Sequence, residues 1–350
     1  MKLPETIELD ALIADLNSKV DDEMKNIICS RDMTLYQMMS YHMGWTDRFG
    51  QAVVGGNNSN RIHGLLCALI SSAMNLEEDV MMPAAASVEL VSSFAEMHDD
   101  IQSGNPVRDE RDAVWWLWGP AQAINAGDGM HAMARLAMCK LVDKGISSEI
   151  TLAALRELDH SGLEACEGRF IEMESQDSFE MTIENYINMA SLKTGSLFGC
   201  AMQLGAIVSS NYESMDDLKT VGEHLGISFQ INSDIDSLWG TGAEFSPDPD
   251  LLNKKKLFPI VYGLNQASIS EKRALGEIYF KRVLDKEDAI KVRNAIDALS
   301  VKGECQELVA KHFGLAESAL EKISMTSRNR RIILNYMSLL VGNNFEQENS

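Results

Sequence analysis

The sequence predicts an all-α protein, one large helical bundle over residues 1–350, on three observations. The seven prolines leave positions 121 to 246 uninterrupted, an interval that long helices tolerate comfortably. Within it, apolar residues recur at spacings of three and four, while β-branched runs alternating with period two are missing. No linker rich enough to separate domains appears, and 45% hydrophobic content supports a sizeable core.

In chain order, residues 10–29, 34–49, 61–74 and 83–101 read as helices, with 55–60 (GGNNSN) a turn-rich loop. Helices follow at 122–141, 148–174, 182–208 and 215–238. The stretch 240–253 concentrates Gly, Ser, Pro and Asp and reads as a surface loop. Beyond it lie helices at 257–266, 271–284, 286–299 and 304–340, and residues 1–8 and 342–350 read as loose ends.

Charge excludes one class of partner. Lys plus Arg number 31 against 52 Asp plus Glu, a formal balance of −21, so a nucleic-acid backbone is repelled by most of this surface. No apolar run approaches the roughly 20 residues that span a bilayer, and the opening MKLPETIELD has no apolar leader, which predicts a cytoplasmic protein without an integral membrane segment. The six cysteines have neither paired nor CxxC spacing and read as reduced core residues. None of the seven histidines is four residues from another, so no histidine metal site is expected.

Two acidic clusters end strongly apolar helices. Asp99 and Asp100 follow AAASVELVSSFAEM; Asn232, Asp234 and Asp236 follow VGEHLGISFQ, with Asn232 and Asp236 one turn apart on a shared face. Carboxylates entering a core helix are costly unless a cation lies between them, and two such helices facing each other would clamp magnesium. The plainer reading is that a chain with 52 acids places some at helix ends by chance. Lys193-Thr194 puts a cation and a hydroxyl inside an apolar helix, either snorkelling to the surface or pointing inward. With Arg108 and the basic run at 254–256, magnesium and several cations in one helical cavity would suit a diphosphate.

These pieces resemble the trans-isoprenyl diphosphate synthase (polyprenyl synthetase) family. ELVSSFAEMHDDIQSGNPVR, WGPAQAINAGD, LKTGSLFG, LGISFQINSDID and KKKLFP occur in the family's order and spacing. The resemblance implies an all-helical isoprenoid synthase bundle around a central cavity, a homodimer, and Mg2+ held by aspartates against a prenyl diphosphate. It further implies catalytic roles for Asp99, Asp100 and Lys193. Arg108, Lys193, Thr194, Gln230 and Lys255 match the family's allylic-diphosphate positions.

Departures are selective. Ser103 stands at the third aspartate of the first motif and Asp109 at its second arginine; Ser233 and Ser237 replace aspartates of the second. At the family's second-diphosphate site, Asn60, His63 and Gly64 fall where lysine, arginine and proline are expected, and Ser92 where histidine is. Without each of those charge-assisted hydrogen bonds, binding there weakens by roughly 1 kcal/mol or more.

That asymmetry leads to the expectation of a class I terpene synthase, a cyclase that ionises an allylic diphosphate without a second substrate. Its metal would be held by Asp99, Asp100, Asn232 and Asp236, the last two resembling part of the Asn-Ser-Glu triad of such cyclases. The alternatives are a chain-elongating prenyltransferase or a catalytically weak partner subunit. Phe94, Phe198 and Phe229, with Phe170 and Trp115, are expected to line the pocket, where ring faces stabilise a carbocation by about 0.5–2 kcal/mol each. Arg169 either senses diphosphate or pairs with Glu172 or Glu167 on its own helix.

Overall fold

The computed structural model describes residues 4–53, 60–176, 181–240, 248–279, 281 and 283–342. These residues are overwhelmingly helical, as expected. The chain opens with α1 (Pro4–Ile28), α2 (Thr34–His42), α3 (Ile62–Ala73) and α4 (Glu78–Ser103). A small antiparallel hairpin, β1 (Val107–Arg108) and β2 (Arg111–Asp112), leads to α5 (Val114–Trp118), α6 (Pro120–Cys139) and α7 (Ser148–Ser175). Then α8 (Ile183–Ala190) passes through a π-helical turn (Ser191–Gly195) into α9 (Ser196–Val208) and on to α10 (Met215–Trp239). The remainder is α11 (Pro249–Leu252), α12 (Phe258–Gln266), α13 (Ile269–Tyr279), α14 (Lys286–Ala298), α15 (Lys302–Glu321) and α16 (Ser327–Leu340).

The core forms around α9, all 13 of whose residues are buried. A helix apolar on every side needs neighbours on every side, and α3, α4, α7 and α10 supply them. Glycines set the closeness of that packing. A Cβ on Gly222 would come within 2.4 Å of the Gly199 backbone, and one on Gly226 within 2.6 Å of the Gly195 backbone, so α10 lies directly on α9 and the π turn. Gly168 of α7 meets the π turn from the other side, where a Cβ would sit 2.3 Å from the Lys193 nitrogen. The turn that carries Lys193 and Thr194 is thus pinned between two helices, and π turns of this kind recur at functional sites.

Several boundaries differ from expectation. The second helix stops at His42, not at residue 49, because Gly44 turns the chain with φ +80° and Thr46 bridges Ala52. Pro83 lies inside α4 rather than at its start; the helix begins five residues earlier, where Glu78 and Asp79 complement the positive end of the helix dipole. The helix expected over 304–340 breaks into α15 and α16, since the Thr326 hydroxyl caps a new start by accepting from the Asn329 N–H at 3.2 Å. Helix α1 already runs through residues 4–8, expected to be loose, and the expected loop at 240–253 contains α11. Residues 1–3, 55–59, 241–247 and 343–350, which complete the expected ends and loops, lie outside the described residues.

Candidate active site

A cavity of about 670 Å3 opens among α3, α4, α7, the π turn, α9, α10 and the segment around α11. Of the residues singled out from the sequence, Asp99, Arg108, Lys193, Thr194, Phe198, Phe229, Gln230 and Lys255 all line it.

At its polar end is a charge cluster. The Lys193 ammonium lies 2.9 and 2.8 Å from the two carboxylate oxygens of Glu172, so it points inward and not to the surface. Arg169 also pairs with Glu172, lies 2.5 Å from Asp99 Oδ1 and donates to Gln102 at 2.8 Å. Lys255 bonds Asp250 at 2.6 Å and sits 3.6 Å from Glu172. Three cations from three segments thus converge on one buried carboxylate. Burial alone would raise the Glu172 and Asp99 carboxyls, but Lys193, Lys255 and Arg169 outweigh it and hold both below the ordinary carboxylate range. In the sequence Glu172 shows only as a partner for Arg169 three residues away; its place at the centre of the cluster depends on α7, the π turn and the segment after α11 meeting.

Beside it, the Thr194 hydroxyl donates to Gln230 at 2.7 Å, and the Gln230 amide donates to Asp234 at 2.9 Å. Asp234 turns from the cavity: Tyr186 Oη and the Phe258 backbone N–H both donate to its other oxygen, and burial pushes its carboxyl up to about 6. On α10 the cavity is faced instead by Phe229, Gln230, Ser233 and Ser237.

The remaining sequence candidates lie off this cavity. Asp100 is buried and gripped by Arg108, whose guanidinium donates to its two oxygens at 2.8 to 3.0 Å; burial still pushes the carboxyl up to about 6. Asn232 and Asp236 do form their one-turn pair, at 3.4 Å, but neither lines the cavity, and Asp236 has Lys302 as its charged neighbour. Phe94 stacks on His98 and His131, with centroids 4.6 and 5.1 Å away. Trp115 bonds the Asn105 carbonyl, and Phe170 is 62% exposed. The apolar wall consists of Phe198 and Phe229, with centroids 5.4 Å apart, and His63 edge-on to Phe198 at 4.8 Å.

A second cavity, about 510 Å3, adjoins the first; Ile62, Glu96, Arg108, Asp109 and Glu110 line both. Of the departures from the family pattern, His63 and Ser92 line the first cavity, whereas Asn60 and Asp109 line this one. One further cation stands there that no motif marks: Arg61, buried, donating to Asp21 at 2.7 Å and to the Met43 carbonyl at 2.6 Å.

Comparison with known proteins agrees with this geometry. The polyprenyl synthetase family model matches residues 47–298. A geranylgeranyl diphosphate synthase of Mycobacterium tuberculosis is 32% identical over 67% of this chain and 66% of its own length. A geranylgeranyl diphosphate synthase of Saccharolobus solfataricus is 28% identical over 95% of this chain and 96% of its own. This chain thus spans just under two thirds of the mycobacterial relative.

A polyprenyl synthetase structure from Streptomyces coelicolor superimposes with a TM-score of 0.85 over 95% of this chain and 99% of that one, at 24% identity. A geranylgeranyl pyrophosphate synthetase structure from Pyrococcus horikoshii gives 0.83 over 96% and 99%, at 23% identity. The all-α isoprenoid synthase fold is therefore shared. The expectation of a cyclase is overturned: these relatives are named as geranylgeranyl diphosphate synthases. With the motifs, the fold and the family model in agreement, the chain belongs to the polyprenyl synthetase family.

Proposed function

We propose that this chain is a trans-prenyltransferase of the chain-elongating kind, joining the prenyl group of an allylic diphosphate to an acceptor. What carries the reading is the pair of adjoining cavities, one ending in three converging cations, the other opening beside it. In the step, the C1–O bond of the donor breaks and its electron pair leaves with diphosphate. C1 then bonds the terminal alkene carbon of the acceptor, which loses a proton to the released diphosphate or to water. Lys193, Lys255 and Arg169 would exchange Glu172 for diphosphate oxygens, countering charge that develops on the leaving group. Thr194 and Gln230 would orient it, and Phe198 and Phe229 would face the cation.

Magnesium fits in a limited way. Among the described residues no three acidic, His or Cys side chains converge on one point. Magnesium, however, is commonly held by one or two carboxylates plus substrate phosphates. Asp99 suits that use: it lines the cavity, and its Oδ1 has ion-pair neighbours but no hydrogen bond. Bound with the substrate, the ion would supply further charge neutralisation at the leaving oxygens.

The reading includes a cytoplasmic homodimer. No helix among the described residues is long and apolar enough to cross a membrane. Leu152, Leu163 and Phe170 are exposed at spacings of eleven and seven, a single stripe along α7. Sedimentation should give twice the 38.8 kDa chain mass.

To test the activity, the protein is incubated with Mg2+, isopentenyl diphosphate and, in turn, geranyl, farnesyl and geranylgeranyl diphosphate. Longer prenyl diphosphates are expected; failure to consume any donor overturns the reading.

A further inference from the structure

Asp234 is 3% exposed and stands behind the first cavity, yet its hydrogen bonds lead to the segments that build the cavity wall. One oxygen accepts the side-chain amide of Gln230 at 2.9 Å. The other accepts the hydroxyl of Tyr186, on the helix that runs into the π turn, and the Phe258 N–H at 2.7 Å. That last bond has a local cause. Helix α12 starts at Phe258, its N-cap Leu257 has no side-chain acceptor and Pro259 has no N–H, so the acceptor for the first turn comes from α10. A carboxylate there also complements the positive end of the helix dipole. Three donors converge on a group that, as a carboxylate, only accepts.

The direction of the next bonds follows from that. Gln230 must turn its NH2 toward Asp234 and its carbonyl toward the π turn, where the carbonyl takes the Thr194 proton at 2.7 Å. A hydroxyl has one proton, so what Thr194 offers the cavity is lone pairs alone. Thr194 follows Lys193 of the charge cluster and precedes Phe198 of the aromatic wall by one turn, and all three line the cavity. Between a diphosphate end and an apolar end lies C1 of a bound donor, the atom on which positive charge develops as its bond to oxygen breaks. A lone pair facing that atom stabilises the charge, and a proton in the same place opposes it.

We infer that Asp234 is a positioning residue for donor ionisation: by holding Gln230 in one orientation it directs the Thr194 proton away from the cavity and leaves the hydroxyl's lone pairs for C1. This rests on the prenyl-transfer reading above. Asp234 itself stays outside the cavity and acts through two other side chains.

Asp234→Asn preserves the shape and reverses the relay. The new carbonyl takes the Tyr186 and Phe258 donors, the new NH2 donates to the Gln230 carbonyl, and the Gln230 NH2 turns toward Thr194, whose proton then points into the cavity. With the full chain, Mg2+, isopentenyl diphosphate and saturating donor, single-turnover donor consumption should fall about tenfold in Asp234→Asn. Affinity for inorganic diphosphate with Mg2+, read by calorimetry, should change less than about twofold, because the charge cluster is untouched. In a Thr194→Val background, which has no hydroxyl to orient, Asp234→Asn should cost less than about a further twofold. Adding Gln230→Glu to Asp234→Asn restores an acceptor for the Thr194 proton and should return the rate to within about threefold of the wild type.

Thr194→Val alone tests the same point with Asp234 intact, whatever the stability of Asp234→Asn: about a tenfold slower step with unchanged diphosphate affinity is expected. An unchanged rate in either single variant overturns the inference. So does an Asp234→Asn loss equally large with and without the Thr194 hydroxyl, which is what a merely structural role produces, or a loss confined to diphosphate affinity. If the wild type consumes no donor, the prenyl-transfer reading itself falls, and the inference with it.

Discussion

The two cavities share a wall and differ in how their cations are held. In the first, Lys193, Lys255 and Arg169 border the open space and share Glu172, with Asp250 beside Lys255 and Asp99 beside Arg169 as further partners. In the second, Arg61 pairs with Asp21, and Arg108 pairs with Asp100 with Glu96 3.9 Å away. Counting basic residues would rate the two regions closer than they are. What an incoming anion meets is the charge left uncompensated, so how each cation is already paired matters more than its presence.

The comparison breaks most directly if the first cluster proves dispensable. Lys193→Ala and Asp99→Ala are each expected to lower kcat/KM for the allylic donor by about a hundredfold or more, as loss of a preorganised charge at a leaving group does. Steady-state kinetics reads this, and full activity in either variant would remove the cluster from the chemistry.

Glu172→Gln tests the same cluster from the other side. It leaves three buried cations without their shared partner and should cost about 3 kcal/mol of folding stability. Inorganic diphosphate should then raise the variant's Tm more than the wild type's, because the ligand supplies the missing anion.

Glu89 belongs to the second region, and burial pushes its carboxyl up to about 7 from an ordinary 4.5. A carboxyl raised in the folded state binds a proton there that the unfolded chain releases. Between pH 4.5 and 7 the folded form thus holds more protons, and its stability falls as pH rises through that window. Asp100 and Asp234 act in the same sense. Glu89→Gln should remove about 2 kcal/mol of the loss between pH 5 and 8 while still accepting the α3 N–H groups. Urea midpoints at the two pH values measure it, and an unchanged slope would show that Glu89 is not the group responsible.

The smallest effect sharpens the boundary of the site. Asn232→Ala and Asp236→Ala should change turnover less than about twofold, since both face away from the cavity. A large loss would return them to the metal site expected from sequence.

How legible the site is in sequence follows from the kind of information each residue carries. Lys193, Thr194, Gln230, Lys255 and Arg108 stand in motifs whose order along the chain is itself the signal, and all five border one cavity. Asn232 and Asp236 stand out only by helical spacing. Spacing says that two side chains share a face but not which neighbour that face meets; here it is Phe229, Gln230, Ser233 and Ser237 that meet the cavity. Phe94 fails for the same reason, its ring lying on His98 and His131. Arg61 and Glu172 carry little signal because neither departs from a pattern in sequence; each matters only through what comes to surround it.

By itself, the sequence determined that this chain is helical, that α9 must be enclosed and that a basic–acidic set of residues exists, because periodicity, apolar content and motif order are local properties of the chain. Only the tertiary structure decided which charges cancel. Pairing falls off over a few ångströms, and Glu172 meets Lys255 across more than eighty residues through glycine-lined helix contacts that no one-dimensional pattern encodes.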